Sequence, residues 1–167
     1  MQTTPPTPRR NILRSLPRWV RWLAIVIVVL GVLWASLTQE PMRAAIWQGR
    51  SQLCGTLAAE NGQSIKQLTG SATVQQAEEC FTNGYAHCQA VSLKYSSGAV
   101  DSFTTDTFVV EPAEGWLAGC GLADAWNGWV STRTYSGTNR CVGVAQEPDG
   151  LHIIGCAGGE DIIIPSP

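Results

Sequence analysis

The sequence predicts an α+β protein, in which a single N-terminal transmembrane helix precedes a disulfide-stabilised domain with one main helix packed on an antiparallel β-sheet. Three observations carry that prediction. Trp22 to Leu37, WLAIVIVVLGVLWASL, is an apolar run without a charge, and five arginines stand before it. All six cysteines lie beyond it. Past the first of them, one stretch with helical period is followed by segments that alternate with the period of two expected of strands.

The elements follow in chain order. Residues 1–18, MQTTPPTPRRNILRSLPR, carry four prolines and no apolar periodicity and read as a disordered basic cytoplasmic stub. Residues 19–38 read as the membrane span: at about 1.5 Å per residue, the uncharged run extended to Gln39 covers roughly 27 Å, close to the hydrocarbon thickness of a bilayer. Arg9, Arg10, Arg14, Arg18 and Arg21 precede the span, and only Arg43 and Arg50 follow it closely. That bias places the amino terminus in the cytoplasm and the rest outside. Trp19, Trp22 and Trp34 suit the two headgroup regions. A cleaved signal peptide would have a shorter apolar core and a small-residue site after it. Leu33 and Ala35 make a poor site, so the run reads as a retained anchor. Lipidation at Cys54 fits no better, because that cysteine lies well past the apolar core. Residues 39–53 form a flexible or helical stalk, and residues 54–167 form the outer domain.

Charge divides the chain into opposites. Residues 1–53 hold seven Arg against one Glu, net +6, whereas residues 54–167 hold Lys66, Lys94, Arg133 and Arg140 against twelve acids, net −8. So acidic an outer domain is repelled by nucleic acid and other polyanions, which argues against them as partners. Cationic ligands, neutral glycans and proteins pass that filter. The acids are scattered and form no calcium loop of the D-x-[DN]-x-[DN]-G kind.

Cys54, Cys80, Cys88, Cys120, Cys141 and Cys156 read as three disulfides of an exported small domain. No C-x-x-C occurs, and His87 and His152 are far apart, so neither redox chemistry nor a metal site is expected. From Val74 to Cys88, the positions Val74, Ala77, Phe81, Tyr85 and Cys88 make one helical stripe, with Ser71 or Thr73 as its cap. Cys80 and Cys88 would then lie about 12 Å apart by helical rise, too far to bridge each other. AVSLKY, a turn at Ser96–Ser97–Gly98 and AVDSFTTDTFVV read as a hairpin. WLAGCGLA, GWVSTRTYS, RCVGVAQ, LHIIGC and DIIIP continue as short strands. A two-residue turn at Pro148–Asp149 pairs Glu147 with Gly150 and sets Cys141 opposite Cys156. A type I turn with a glycine bulge shifts the register by one and turns those cysteines to opposite faces. Both registers suit P-D-G.

For catalysis, the candidate bases are His87 and His152, with Asp101, Asp106 or Asp124 to orient them, but no nucleophile elbow, zinc helix, P-loop or dinucleotide fingerprint occurs. No catalytic residue and no cofactor is therefore assigned. Trp116, Trp126, Trp129 and Tyr135 make the middle of the sheet region aromatic, with Asn127–Gly128 read as a turn between two of the rings. Trp126, Trp129, Asn127 and Tyr135 are the candidate binding residues, a sugar-stacking platform or a protein hot spot, with core filling as the alternative use of any one ring.

The stretch Glu78 to Val110, with its E-E-C-F-T-N-G-Y-A-H-C segment, and the later L-H-I-I-G-C-A-G-G-E-D-I-I-I-P resemble small cysteine-containing bacterial extracytoplasmic domains of unassigned function. The order of helix and then curved sheet is also similar to NTF2-like or cystatin-like domains, which implies a pocket between helix and sheet and no particular ligand. The resulting expectation is a membrane-anchored extracytoplasmic binding or interaction module. It touches membrane lipid through its anchor and takes a protein or neutral glycan at the cell surface. A membrane-tethered hydrolase and a purely structural envelope protein are the alternatives.

Overall fold

The computed structural model describes residues 17–37, 40–112, 119–156 and 159–166; the stub over 1–16 and Trp116 fall outside them. The chain divides into two compact units, 1–38 and 39–167. The first contains helix α1, Arg18–Leu37. It is long and apolar enough to cross a membrane, with a mean hydropathy of 1.8 over Arg18–Ala35 and none of that window buried. Leu23, Ile27 and Leu30 all stand exposed.

The second unit runs α2 (Glu40–Arg50), β1 (Gln52–Glu60), α3 (Ile65–Thr69), α4 (Ser71–Ala86), β2 (Val91–Ala99), β3 (Ser102–Glu111), β4 (Gly121–Val130), β5 (Arg133–Cys141), β6 (Gly143–Glu147), β7 (Gly150–Ile154) and β8 (Ile162–Pro165). This is an α+β plan, but its sheet is mixed where a purely antiparallel one was expected. Strands β1 to β5 form one sheet in chain order, and β6, β7 and β8 form a second. Strand β1 runs parallel to β2, and every other pairing is antiparallel. A parallel neighbour needs a crossover, which α3 and α4 supply. Strand β1 was read as stalk and domain start because QLCGTLAAE lacks alternation and is rich in residues that also suit helices.

Two expected turns lie elsewhere. Gly98 pairs with Phe103 inside the β2–β3 ladder, which closes at Ala99 and Ser102 around Val100 and Asp101. Asn127 and Gly128, read as a turn, sit mid-strand opposite Thr105 and Thr104. Strand β4 turns only at Ser131 and Thr132, with Ser131 in the left-handed region at φ 56°. Pairing on both sides of β4 outweighs the local N-G turn preference.

The expected stripe on α4 packs inward. Val74, Ala77 and Phe81 are buried with Leu57, Leu93, Phe108, Val110 and Leu122 of the large sheet and Leu151, Ile153 and Ile164 of the small one, while Tyr85 is half-buried at the margin. Gly84 permits the closest approach: a Cβ there would overlap the side chain of Val91. A single helix on the sheet is too simple a description, since α2 contacts β3, β4 and β5 and α3 contacts β1. The buried Val109 and Ala123 alternate with the core residues and so belong to the second face, where α2 brings its own buried Ala44.

All six cysteines are bridged. Cys54–Cys80 ties β1 to α4, Cys88–Cys120 ties the end of α4 to the start of β4, and Cys141–Cys156 ties β5 to the end of β7. Glu147 pairs with Gly150, so the two-residue turn is the register adopted.

Candidate binding cleft

Beside its apolar stripe, α4 carries a polar one. Gln75, Glu78, Glu79, Thr82, Asn83 and Ala86 recur at helical spacing and line a cavity of about 760 Å³, closed on its far side by Gln146 of β6 and Ser166 beyond β8. The small sheet is held against the core by Leu151, Ile153 and Ile164, and this packing brings a side chain near the C-terminus within reach of a helix 88 residues earlier.

Glu78 is the chemical centre of the cleft. It is 6 % exposed, and the Ser166 hydroxyl lies 3.1 Å from each of its carboxylate oxygens. The Gln146 amide donates to the Ser166 oxygen at 3.3 Å, completing a chain of three polar side chains. Burial raises the Glu78 pKa, and the hydrogen bonds of Ser166 and Gln146 oppose that shift. Among the described residues no cation pairs with it. One turn further along α4, the Thr82 hydroxyl oxygen is buried without a hydrogen-bond partner among the described residues. Gln75 donates to Glu79 at 3.0 Å, which orders the second carboxylate at the rim.

The four aromatic-region candidates are divided between the faces of the large sheet. Alternation puts Asn127 and Trp129 on the face of α2, and Trp126 and Tyr135 on the face of α4. The Trp126 ring lies over Gly137 of β5, where a Cβ would come within 2.8 Å of the indole nitrogen. Trp129 is 39 % exposed and, with Phe103, Asn127, Thr134 and Ser136, borders a shallower hollow of about 250 Å³. Tyr135, 48 % exposed, borders the same hollow through the strand edge opposite Gly128.

Neither histidine is set up as a general base beside a nucleophile. His87, exposed at the end of α4, places Nδ1 2.9 Å from the Asn83 carbonyl oxygen. His152 places Nε2 2.8 Å from Asp149 Oδ1 and 3.9 Å from Glu147 Oε2. Among the described residues no hydroxyl bonds to either ring. Asp101 is an exposed turn residue whose carbonyl accepts from Ser131 N–H at 2.9 Å. Asp106 and Asp124 are buried on neighbouring strands, and burial pushes them up to about 6 and about 7. For Asp124 the charge of Asp106 adds to the rise and the Asn139 side chain opposes it.

The polar stripe of α4 was not among the candidates read from the sequence, although Gln75, Glu78, Glu79 and Thr82 stand at helical spacing. Its partners Gln146 and Ser166 carry no local signal, so the cleft as a unit was not legible. No protein-family model, curated protein or solved structure matches this chain.

Proposed function

We propose that this chain is a single-pass membrane protein, with a cytoplasmic amino terminus and an acidic extracytoplasmic domain that binds a ligand bearing a positively charged amine in the α4 cleft. The observation that carries the ligand class is Glu78. A buried carboxylate with only hydroxyl and amide donors around it gains most from a cation, and the ammonium of a ligand supplies one. Glu79 at the rim and the net charge of −8 over residues 54–167 favour the approach of the same class. The side-chain amides of Gln75, Asn83 and Gln146 add hydrogen-bonding capacity around the charge. The address rests on the apolar α1, the arginine bias before it, and three disulfides of the kind that persist in oxidising compartments.

The test is calorimetric titration of the full chain in detergent with spermidine, 1,4-diaminobutane and the neutral trisaccharide maltotriose. Saturable amine binding that falls at least tenfold in Glu78→Gln, with the thermal midpoint retained, is the expected result. Equal amine affinity in the variant and the parent would remove Glu78 from the site. Trisaccharide binding lost in Trp129→Ala would favour a second reading, in which the half-exposed Trp129 stacks a sugar ring beside Asn127.

A further inference from the structure

The outer face of the small sheet carries a donor set of a different kind. Glu147 ends β6, Asp149 lies in the turn and His152 is the third residue of β7, so the hairpin brings a carboxylate, a second carboxylate and an imidazole to one point. Within the ladder His152 pairs with Ala145 and Ile163, and alternation turns it away from the buried Leu151 and Ile153. One ligand atom from each of the three residues lies within 4.8 Å of the other two. We infer that Glu147, Asp149 and His152 form a binding site for a divalent first-row transition metal, of which zinc is the probe.

The argument is metric. Zinc bonds to imidazole nitrogen and carboxylate oxygen at about 2.0–2.1 Å, so ligand atoms at tetrahedral angles stand roughly 3.3 Å apart. The Nε2 distances of 2.8 Å to Asp149 and 3.9 Å to Glu147 bracket that separation, each about half an ångström from it, and the two carboxylates lie within 4.8 Å of one another on adjustable side chains. A metal would take the position of the proton between Nε2 and Asp149 Oδ1; an imidazolium would release that proton to solvent, and a neutral ring would carry its proton on Nδ1 instead. The polar partners of the ring nitrogen are these two carboxylates, so no hydroxyl or backbone bond has to be given up. The imidazole is 11 % exposed and fixed by its strand, whereas the carboxylates of Glu147 and Asp149 are 54 % and 62 % exposed. A rigid nitrogen donor with two adjustable oxygen donors leaves the fourth position open to water. Asp161, whose carboxylate accepts from Gly155 N–H at 2.8 Å, adds a further negative charge beside the ring. The nitrogen donor favours zinc over calcium, which takes six to eight oxygens.

The experiment titrates the full chain in detergent with zinc chloride and separately with calcium chloride, following heat and the 15N shifts of both histidines. The expected result is one equivalent of zinc, no saturable calcium binding, and a shift of His152 Nε2 without change at His87. Asp149→Asn and Glu147→Gln, both on exposed carboxylates, should each weaken zinc at least tenfold, and His87→Ala should leave it unchanged. Absence of saturable zinc uptake, uptake insensitive to Asp149→Asn, or uptake lost in His87→Ala would each overturn the site. None of these outcomes depends on the amine cleft, which takes Gln146 from the hairpin but none of the three donors.

Discussion

Asp106 and Asp124 show how two residues set a property of the domain. The ladder places Asp106 opposite Trp126 and Phe108 opposite Asp124, so the two carboxyls are diagonal neighbours on the α4 face. Both titrate near pH 4 when unfolded, and near about 6 and about 7 when folded. Across that interval the native state binds more protons than the unfolded one, so stability falls as pH rises from about 4 to about 7. Asp124→Asn removes the larger part of the effect. Urea unfolding at pH 8 should show the variant more stable than the parent, by about 4 kcal/mol at the most, and the gap should narrow toward pH 4. A parent profile flat between those pH values would contradict the assignment. Single residues were unevenly legible in the sequence. Val74, Ala77 and Phe81 could be placed by periodicity alone, since burial of an apolar stripe is a local pattern. Glu78 is buried because Ser166 and the small sheet reach it, and nothing within several residues of Glu78 encodes that.

Among the elements, the β6–β7 hairpin was legible down to two registers, because the P-D-G turn suits both and register fixes the face of every side chain. Pairing of Glu147 with Gly150 carries Cys141 to Cys156, as one of the two readings required. The small sheet meets the rest of the domain through Leu151, Ile153 and Ile164, that bridge, and the Ser166–Glu78 hydrogen bonds, and the share of the bridge is testable. The double variant Cys141→Ala/Cys156→Ala opens a loop of 15 residues, worth about 3 kcal/mol by chain entropy. Hydrogen exchange should then accelerate in β6, β7 and β8 before β2 and β3. Amine binding should weaken as well, since Gln146 and Ser166 close the cleft from that sheet. Uniform acceleration across both sheets would mean that the bridge supports the whole fold and not one layer. Strand β1 was missed altogether, and β4 was read as two strands split by a turn. The Asn127–Gly128 pair has a strong turn preference, and two flanking strands hold it extended.

For the molecule as a whole, the sequence already showed the separation into an apolar helix and a cysteine-bearing domain, because both signals are compositional and need no contact map. Parallel pairing of β1 with β2 was hidden, since it depends on the crossover through α3 and α4. The membrane address has a direct check. With protease added to right-side-out vesicles, an epitope tag at the carboxy terminus should be removed and one at the amino terminus kept, and deletion of 18–37 should release the chain into the soluble fraction. Protection of the carboxy-terminal tag would reverse the orientation argued from the arginines. The Cys54–Cys80 bridge then acquires a mechanical meaning. If the chain is anchored as proposed, tension between a bilayer and a ligand held by α4 would pass from α4 through one covalent bond into β1, and from there along the backbone toward α2, skipping the 25 residues between the two cysteines. The ladders among β2 to β5 and β6 to β8 would lie off that path, and only the β1–β2 ladder would border it.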